Sequence, residues 1–522
     1  MSVKVGLVTP STLSHRTAEE TIALGYLGTL LRQAGYNVRI VDGWLNCLTP
    51  EEIAMKLAID TPPSLVGFSC YRSNLIQAEE TLRCIRSQFG NIPAICGGYG
   101  PTFHDELFLK SGFTVAVSGE AEQIIIQLVS ALLNGDELNS IPGIAFYQDG
   151  EIVRTQRTEP VIDLDTILFP ARDTIQSAIA QKNFIHVCTS RGCEAHCSFC
   201  SIFAFALGAS RKRRWRQRGV LNIVDEIRYL YEQFGVMHFK FVDDSFIEPP
   251  RDETWTDAFL NEITKHNLSI KFRTQVRADR LTPIIVQNLK QAGWHSTSVG
   301  VENASSTALR RMAKSASIAD NLAALEMLEQ NGIYVQMGMI LFDPETTMDE
   351  LRENLEFLKS HRWPVTKGIF TEMFAAEGTA FTRKLHSRGM LSQSTQTQNY
   401  VYTVQDHQAQ RVYAMLKAWH RSHSVVYDWV IDSLTAPKVL PDVGYSKVHS
   451  LVQRLQTLDL LFFEHALERA SSTAHEDTDI EYVRNAIIRL QRAFTEIEAA
   501  INILYAAYGL TYNAVPNPFL SS

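Results

Sequence analysis

The stretch Phe184-Ile-His-Val-Cys-Thr-Ser-Arg-Gly-Cys-Glu-Ala-His-Cys-Ser-Phe-Cys200 carries a short apolar strand directly into a loop with three closely spaced cysteines. Cys193, Cys197 and Cys200 follow a C-x3-C-x2-C spacing. Thiolates this close together are typical ligands of a soft metal, and an iron–sulfur cluster on three protein thiolates leaves one iron without a protein ligand. A zinc site, which lacks a second cysteine pair here, and three unconnected thiols are the alternatives.

Apolar strands alternate with helical segments from residue 184 to residue 385. The pattern predicts six strands, over residues 185–189, 239–242, 270–274, 296–301, 335–341 and 368–374. Six βα units in succession predict a partial (β/α)6 TIM-type barrel, in which functional groups lie at the carboxyl ends of the strands. We expect the cysteine loop at that end, because it follows the first strand.

Residues 1–135 show the same alternation and predict a separate α/β domain. Strands are predicted over residues 3–8, 38–41, 65–69, 92–96 and 115–117, with helical segments such as 17–34 between them. The series indicates a doubly wound, flavodoxin- or Rossmann-like parallel sheet, whose ligands lie outside the carboxyl ends of the strands. The loops there begin at Thr9, Ser69, Gly97 and Ser118.

Two further regions complete the predicted organisation. Residues 136–183 read as a packed linker that contains a β-hairpin turning at Asp149-Gly150, a strong hairpin signal. Residues 386–522 predict a helical C-terminal domain with long amphipathic helices over 406–434, 446–470 and 478–509.

The charge distribution argues against general nucleic-acid binding, because the 522-residue chain carries a net charge of −8. One exception is the basic run 211–218, which places six basic residues around Trp215. It is either a clamp for an anionic substrate or acidic partner, or a solvated segment with internal ion pairs. RNA modification rests on this run alone.

The compartment predicted from the sequence is the cytoplasm. The first residues turn polar too soon for a signal peptide, and no stretch reaches the ~18 apolar residues of a membrane span. Of the eight cysteines in the chain, those outside the loop are scattered, which fits a reducing compartment.

Cys193, Cys197 and Cys200, with Phe199 before the last cysteine, resemble the signature of radical S-adenosylmethionine (SAM) enzymes. The resemblance implies a [4Fe-4S] cluster whose fourth iron is chelated by SAM, and reductive formation of a 5′-deoxyadenosyl radical. It also implies SAM contacts from Phe199, Asp243, Arg277, Glu302 and Gly338. Helix capping is the alternative for Asp243. Glu377-Gly-Thr379 departs from the Pro-Gly-Thr common in relatives.

The N-terminal domain resembles the cobalamin-binding domain fused to many radical SAM enzymes. The matching segments are 22–35, 66–69, 97–102 and 119–122. The resemblance implies cobalamin contacts from Thr9, Pro10, Ser69, Gly97, Gly98, Gly100, Pro101, Thr102, Gly119 and Glu120. The chain lacks an Asp-x-His-x-x-Gly motif, so the resemblance implies that cobalamin binds without a histidine ligand. A scaffold or substrate-binding module without cobalamin is the alternative.

The resemblance as a whole implies a cobalamin-dependent radical SAM methyltransferase acting on an unactivated carbon. The expected substrate is a small molecule, a lipid or a peptide, and the expected electron donor is of the flavodoxin or ferredoxin type. A ring-forming or oxidative enzyme without net methyl transfer is the alternative in the same architecture, and a non-catalytic corrin or metal carrier is the alternative from another class.

Overall fold

The computed structural model describes residues 4–11, 19–157, 159–206, 214–393, 400–435 and 438–510. These residues form two compact units. The first unit comprises the described parts of residues 4–192 and 202–236, and the second comprises those of 193–201 and 237–510. The division therefore falls just before the first cysteine of the loop, and it leaves the predicted strand at 185–189 in the first unit.

The first unit is built on a seven-stranded sheet in the order β2-β1-β3-β4-β5-β6-β7. The first five strands are parallel, and β6 and β7 are antiparallel. Its elements are β1 Lys4–Thr9, α1 Ile22–Gln33, β2 Asn37–Asp42, α2 Pro50–Ala58, β3 Leu65–Ser69, α3 Leu75–Phe89, β4 Ala94–Gly97, α4 Tyr99–Lys110, β5 Val115–Val117, α5 Ile125–Asn134, β6 Ile144–Gln148, β7 Glu151–Arg154, α6 Ile175–Ala180, β8 Ile185–Val187, β9 Ser190–Gly192, α7 Ile202–Ala206, β10 Trp215–Gln217 and α8 Val220–Phe234.

Helices cover both faces of this sheet, which confirms the doubly wound prediction. Leu24 of α1 and Leu128 of α5 belong to one buried cluster, whereas Ile53 of α2, Leu82 of α3 and Phe108 of α4 belong to the other. Parallel strands buried on both faces read as continuous apolar runs, as the strand Val115–Val117 does.

The hairpin predicted at Asp149-Gly150 forms, but it is an edge of the sheet rather than part of a connection. Asp149 and Gly150 both have positive φ, 53° and 85°, as a two-residue hairpin turn favours. β6 pairs with β5, so the strand ladder continues into the segment predicted to be a linker.

The second unit contains four parallel strands that pair in sequence order, from β11 to β14. Its elements are β11 His238–Phe241, α9 Glu253–Lys265, β12 Lys271–Val276, α10 Pro283–Gln291, β13 Trp294–Glu302, α11 Ser306–Arg311, α12 Ile318–Gln330, β14 Tyr334–Met339, α13 Met348–Ser360, α14 Ala380–Ser387, β15 Ser392–Gln393, β16 Tyr400–Val401, α15 His407–Thr435, α16 Asp442–Ala470 and α17 Asp479–Ala507.

The prediction of a sixth strand over residues 368–374 is wrong. Among the described residues, two isolated bridges are found near this segment, from Gln336 to Val365 and from Phe342 to Glu372, and of the two Glu372 lies within the predicted range. Gly368 lies between the bridged positions with a φ of 93°, and this left-handed conformation interrupts the extended backbone that a ladder needs.

The C-terminal region is helical, as predicted, and α15, α16 and α17 pack on one another. Trp419 of α15 stacks on Phe462 of α16, with ring centroids 4.1 Å apart. His423 of α15 stacks on Phe494 of α17 at 4.4 Å. Among the described residues, none of the helices has the length and apolar character that crossing a membrane requires.

Candidate cluster and cofactor sites

The cysteine loop of the second unit is held at its centre by backbone hydrogen bonds. The amide of Ser198 donates to the carbonyl of Met312 at 2.8 Å, and the amide of Phe381 donates to the carbonyl of Ser198 at 2.8 Å. Ser198 stands between two of the signature cysteines, Cys197 and Cys200. Neighbouring segments thus fix the loop whose thiols are the candidate cluster ligands.

Cys193 lies against a buried carboxylate that the sequence did not single out. Its Sγ donates to Glu248 Oε1 at 3.4 Å, and it accepts from the amide of Ala195 at 3.4 Å. Burial raises the pKa of Cys193 to about 12, and the carboxylate of Glu248 adds to this effect. A metal that coordinates such a thiol deprotonates it outright. In this environment the thiol therefore ionises only when a metal binds.

The donor set fits an iron–sulfur cluster. No three His, Cys, Asp or Glu side chains among the described residues are arranged to hold one metal ion. A [4Fe-4S] cluster does not need such convergence, since each thiolate binds a different iron. Three sulfurs from one fixed loop are the ligands that such a cluster takes.

Glu248 also holds the arginine expected to bind the SAM carboxylate. Arg277, which follows β12, donates through Nη1 to Glu248 Oε1 at 3.3 Å. Its Nε and Nη2 donate to the two oxygens of Asp279 at 3.0 and 2.6 Å. Arg280 completes the group by donating to Glu248 Oε2 at 2.9 Å. The structure therefore brings Arg277 and Cys193 to the same carboxylate, as a joint cluster and SAM site requires.

Glu302, the residue expected to bind ribose, ends β13 with a φ of 68°. A non-glycine residue pays of order 1–3 kcal/mol for such a conformation, and strain of this kind concentrates at ligand sites. Its Oε1 accepts from Lys314 Nζ at 3.0 Å, and both side chains are largely buried. A Cβ on Gly300 would lie only 2.3 Å from that oxygen, so glycine lets the carboxylate fold over the strand.

The neighbouring strand offers space where the adenine contact is expected. A Cβ on Gly338 would meet nothing closer than the Gly300 Cα at 3.6 Å. Phe199 packs in an apolar cluster with Met312 and Met373. The open backbone at Gly338 fits a flat ligand that passes close to the strand.

Asp243, also expected to contact SAM, lies in a buried ion pair. Its Oδ2 is 3.5 Å from Arg251 Nη1, and both side chains are fully buried. The capping alternative is wrong, because α9 is capped by Asp252, whose side chain accepts from the amide of Trp255. The lone acid in the apolar run Phe246-Ile-Glu248 is the signal that could have pointed to Glu248.

In the first unit, four of the expected cobalamin residues present groups that suit a ligand or leave room for one. Thr9 ends β1 with a buried hydroxyl that has no hydrogen-bond partner among the described residues. Pro10 is buried beside it, and Ser69 is half-buried at the end of β3. A Cβ on Gly97 would meet only Val117 Cβ, at 3.8 Å. An orphaned hydroxyl and an open glycine at strand ends fit a bound cofactor.

The remaining glycines and their neighbours serve the packing of the loops. A Cβ on Gly98 would lie 2.9 Å from the Cys70 carbonyl, and one on Gly100, next to buried Pro101, would lie 2.7 Å from Tyr71 C. Thr102 Oγ1 donates to the Gly98 carbonyl at 2.7 Å and accepts from the Gly119 amide at 2.9 Å. These residues therefore fix the conformation of the loops at the end of β4.

Glu120, expected to contact cobalamin, is engaged by two arginines. It accepts from Arg216 Nη1 at 2.9 Å and lies 3.1 Å from Arg191 Nη1, which also pairs with Glu122 at 2.7 Å. Arg191 and Arg216 are largely buried. Arg191 belongs to β9 and Arg216 to β10, so Glu120 fastens this antiparallel strand pair to the α/β domain.

The basic run 211–218 is in part an internal feature of the first unit. Arg216 pairs with Glu120, and Arg218 pairs with the buried carboxylate of Glu226. The interpretation as internal ion pairs is therefore confirmed for these two residues. Residues 211–213 lie outside the described residues.

Two family models match the chain in the order that the sequence predicts. The B12 binding domain matches residues 13–129, and the Radical SAM superfamily matches residues 187–358. Together they cover more than half of the 522 residues. The segments they cover contain the ends of β3 and β4 in the first unit and the cysteine loop of the second.

Curated relatives and a solved structure agree with these matches. An uncharacterized methyltransferase of Pyrococcus horikoshii is 27% identical over 368 residues, 68% of this chain and 78% of the relative. The anaerobic magnesium-protoporphyrin IX monomethyl ester cyclase of a Synechocystis species is 27% identical over 393 residues, 70% of this chain and 76% of the relative.

The fold also matches the cobalamin-dependent S-adenosylmethionine radical enzyme OxsB with aqua-cobalamin and S-adenosylmethionine bound. The TM-score is 0.77 at 18% identity, over 98% of this chain and 82% of that chain. At this identity the match concerns the fold. The chain therefore belongs to the cobalamin-dependent radical SAM enzymes, and its cofactors are a [4Fe-4S] cluster, S-adenosylmethionine and cobalamin.

Proposed function

We propose that this enzyme methylates an unactivated carbon of a small-molecule, lipid or peptide substrate. The observation that carries the proposal is the similarity to the methyltransferase of Pyrococcus horikoshii, which extends over 68% of the chain. When bound, the cluster and SAM supply a radical that removes hydrogen from the substrate, and cobalamin supplies the methyl group. A flavodoxin- or ferredoxin-type protein would supply the electron.

Each group in the second unit has a distinct task in this proposal. Cys193, Cys197 and Cys200 hold the cluster. Arg277 offers its planar guanidinium to the SAM carboxylate, for which its fork geometry is suited. Glu302 accepts hydrogen bonds from the ribose, and these replace the hydrogen bond that Lys314 donates to it in the structure. Gly338 leaves room for the adenine.

In the first unit, the ends of β1, β3 and β4 form the proposed cobalamin surface. Thr9 offers its buried hydroxyl as a hydrogen-bond donor or acceptor, and Gly97 leaves the backbone open to a large ring. Glu120 and Gly100 act indirectly, because they fix the loops that frame this surface.

The test is the fate of labelled SAM in anaerobically reconstituted enzyme. With candidate substrates and SAM that carries a labelled methyl group, we expect a product heavier by one methylene unit that contains the label, together with 5′-deoxyadenosine. The Cys197→Ala variant is the control and should form neither. Formation of 5′-deoxyadenosine by that variant would refute the role of the cluster.

Ring formation without methyl transfer is the second candidate. The similarity to the magnesium-protoporphyrin cyclase favours it, because that relative matches a comparable share of the chain at the same identity. The same experiment separates the two reactions: a product that has lost hydrogens and contains no label would establish oxidation and exclude methylation. A carrier without catalytic activity would yield no 5′-deoxyadenosine from the wild-type protein.

We place the reaction in a reducing compartment, the cytoplasm. None of the eight cysteines is disulfide-bonded in the structure. A low-potential electron donor and a cluster that needs reduced thiols both suit such a compartment.

A further inference from the structure

Two opposite charges flank the cluster ligands from inside the second unit. Glu248 is fully buried and touches Cys193. Lys314, whose side chain is 7% exposed, bonds to Glu302 at the end of β13. Neither residue was singled out by the sequence, and neither is needed to hold iron.

Lys314 lies within electrostatic range of another cluster cysteine. Met312, two residues before Lys314 in the chain, accepts at 2.8 Å from the amide of Ser198, the residue that follows Cys197. A Cβ on Gly300 would lie 3.0 Å from Lys314 Nζ, so the glycine also makes room for the ammonium. Exclusion from solvent leaves this charge poorly screened.

A [4Fe-4S] cluster becomes more negative by one charge when it accepts an electron. Nearby charge, hydrogen bonds to the sulfurs and solvent exposure therefore set its reduction potential. A fixed cation near Cys197 favours the reduced cluster, and a fixed carboxylate in contact with Cys193 favours the oxidised one. Glu248 keeps its place because two arginines, Arg277 and Arg280, donate to it.

We infer that Lys314 and Glu248 tune the reduction potential of the cluster through their charges, and that they shift it in opposite directions. The step concerned is the transfer of one electron from an external protein donor to the cluster, in which no bond forms or breaks. Lys314 makes this step easier, and Glu248 limits the gain. The inference needs the cluster but no substrate, so it stands apart from the proposal of methyl transfer.

The test is a redox titration of the reconstituted cluster in the absence of SAM, in which electron paramagnetic resonance measures the fraction of reduced cluster at each potential. We expect a more negative midpoint potential for Lys314→Met and a more positive one for Glu248→Gln. Lys314→Arg, which keeps the charge, is the matched control and should titrate like the wild type. With a weak reductant and SAM, Lys314→Met should also form less 5′-deoxyadenosine.

Unchanged potentials, or shifts of the same sign in both variants, would overturn the inference. If Lys314→Met does not assemble a cluster, Lys314→Gln replaces it, because the amide can still donate to Glu302. Failure of both neutral variants to assemble a cluster, with Lys314→Arg intact, would show a structural role and would also overturn the inference.

Discussion

Gly97 and Gly100 lie three residues apart, and the structure predicts opposite consequences when each is replaced by alanine. At Gly97 a Cβ would meet only Val117 Cβ at 3.8 Å, an ordinary contact. At Gly100 it would lie 2.7 Å from Tyr71 C and 2.9 Å from Arg72 N. These are backbone atoms, which cannot turn aside as the end of a side chain can.

The magnitudes follow from these distances. Gly97→Ala should change the stability of the apoprotein by less than about 1 kcal/mol, and the lower entropy of the unfolded chain favours a small gain. Gly100→Ala gains about 1 kcal/mol of helix propensity in α4, but overpacking of this kind costs up to about 3 kcal/mol. We therefore expect Gly100→Ala to be the destabilised variant.

Cobalamin binding should show the reverse order for a cofactor that contacts Gly97. The added methyl group fills space at the strand end, so we expect at least a tenfold loss of affinity, about 1.4 kcal/mol. Denaturant titration of the apoproteins measures the first effect, and absorbance titration with cobalamin measures the second. The reasoning fails if Gly97→Ala binds cobalamin like the wild type, or if Gly100→Ala is fully stable.

Three other predictions concern the ion pairs, the buried histidine and the SAM site. Arg216→Met should destabilise the first unit by about 3 kcal/mol, because Glu120 loses one of its two arginines; denaturant unfolding measures this, and an unchanged midpoint would contradict it. Burial lowers the pKa of His295 to about 3, below its value in the unfolded chain, so its contribution to stability is present above pH 6.5 and is lost as pH falls toward 3. Unfolding free energies should therefore show a loss of about 2 kcal/mol between pH 6.5 and 5 that His295→Phe does not share, and equal slopes for both proteins would count against it. Gly300→Ala should weaken SAM binding to the reconstituted enzyme, since the new Cβ displaces Glu302; calorimetry would disprove this if the affinity were unchanged.

The sequence predicted the parts of this protein that depend on local pattern. The C-x3-C-x2-C spacing, the alternation of strands and helices and the Asp149-Gly150 turn are all read along a short stretch of chain. Backbone geometry and burial impose the periods of strands and helices, so the fold class could be predicted from the sequence alone. The cluster loop was predicted from the spacing of its cysteines. The sixth strand was the exception, because a positive φ at Gly368 is invisible to periodicity.

The tertiary structure alone decided which charged groups meet. Glu120 carries the motif of a cofactor contact but pairs with Arg216, 96 residues later in the chain. Glu248 joins Cys193 to Arg277 and Arg280, and Lys314 joins Glu302, through folding that no short-range pattern records. Composition shows that charged residues are present. Burying a charge costs less when its partner lies beside it, and only the packing of the folded chain decides which charges meet. The sequence by itself thus predicted the fold class and the candidate metal ligands, and the three-dimensional packing determined the electrostatic surroundings of those residues.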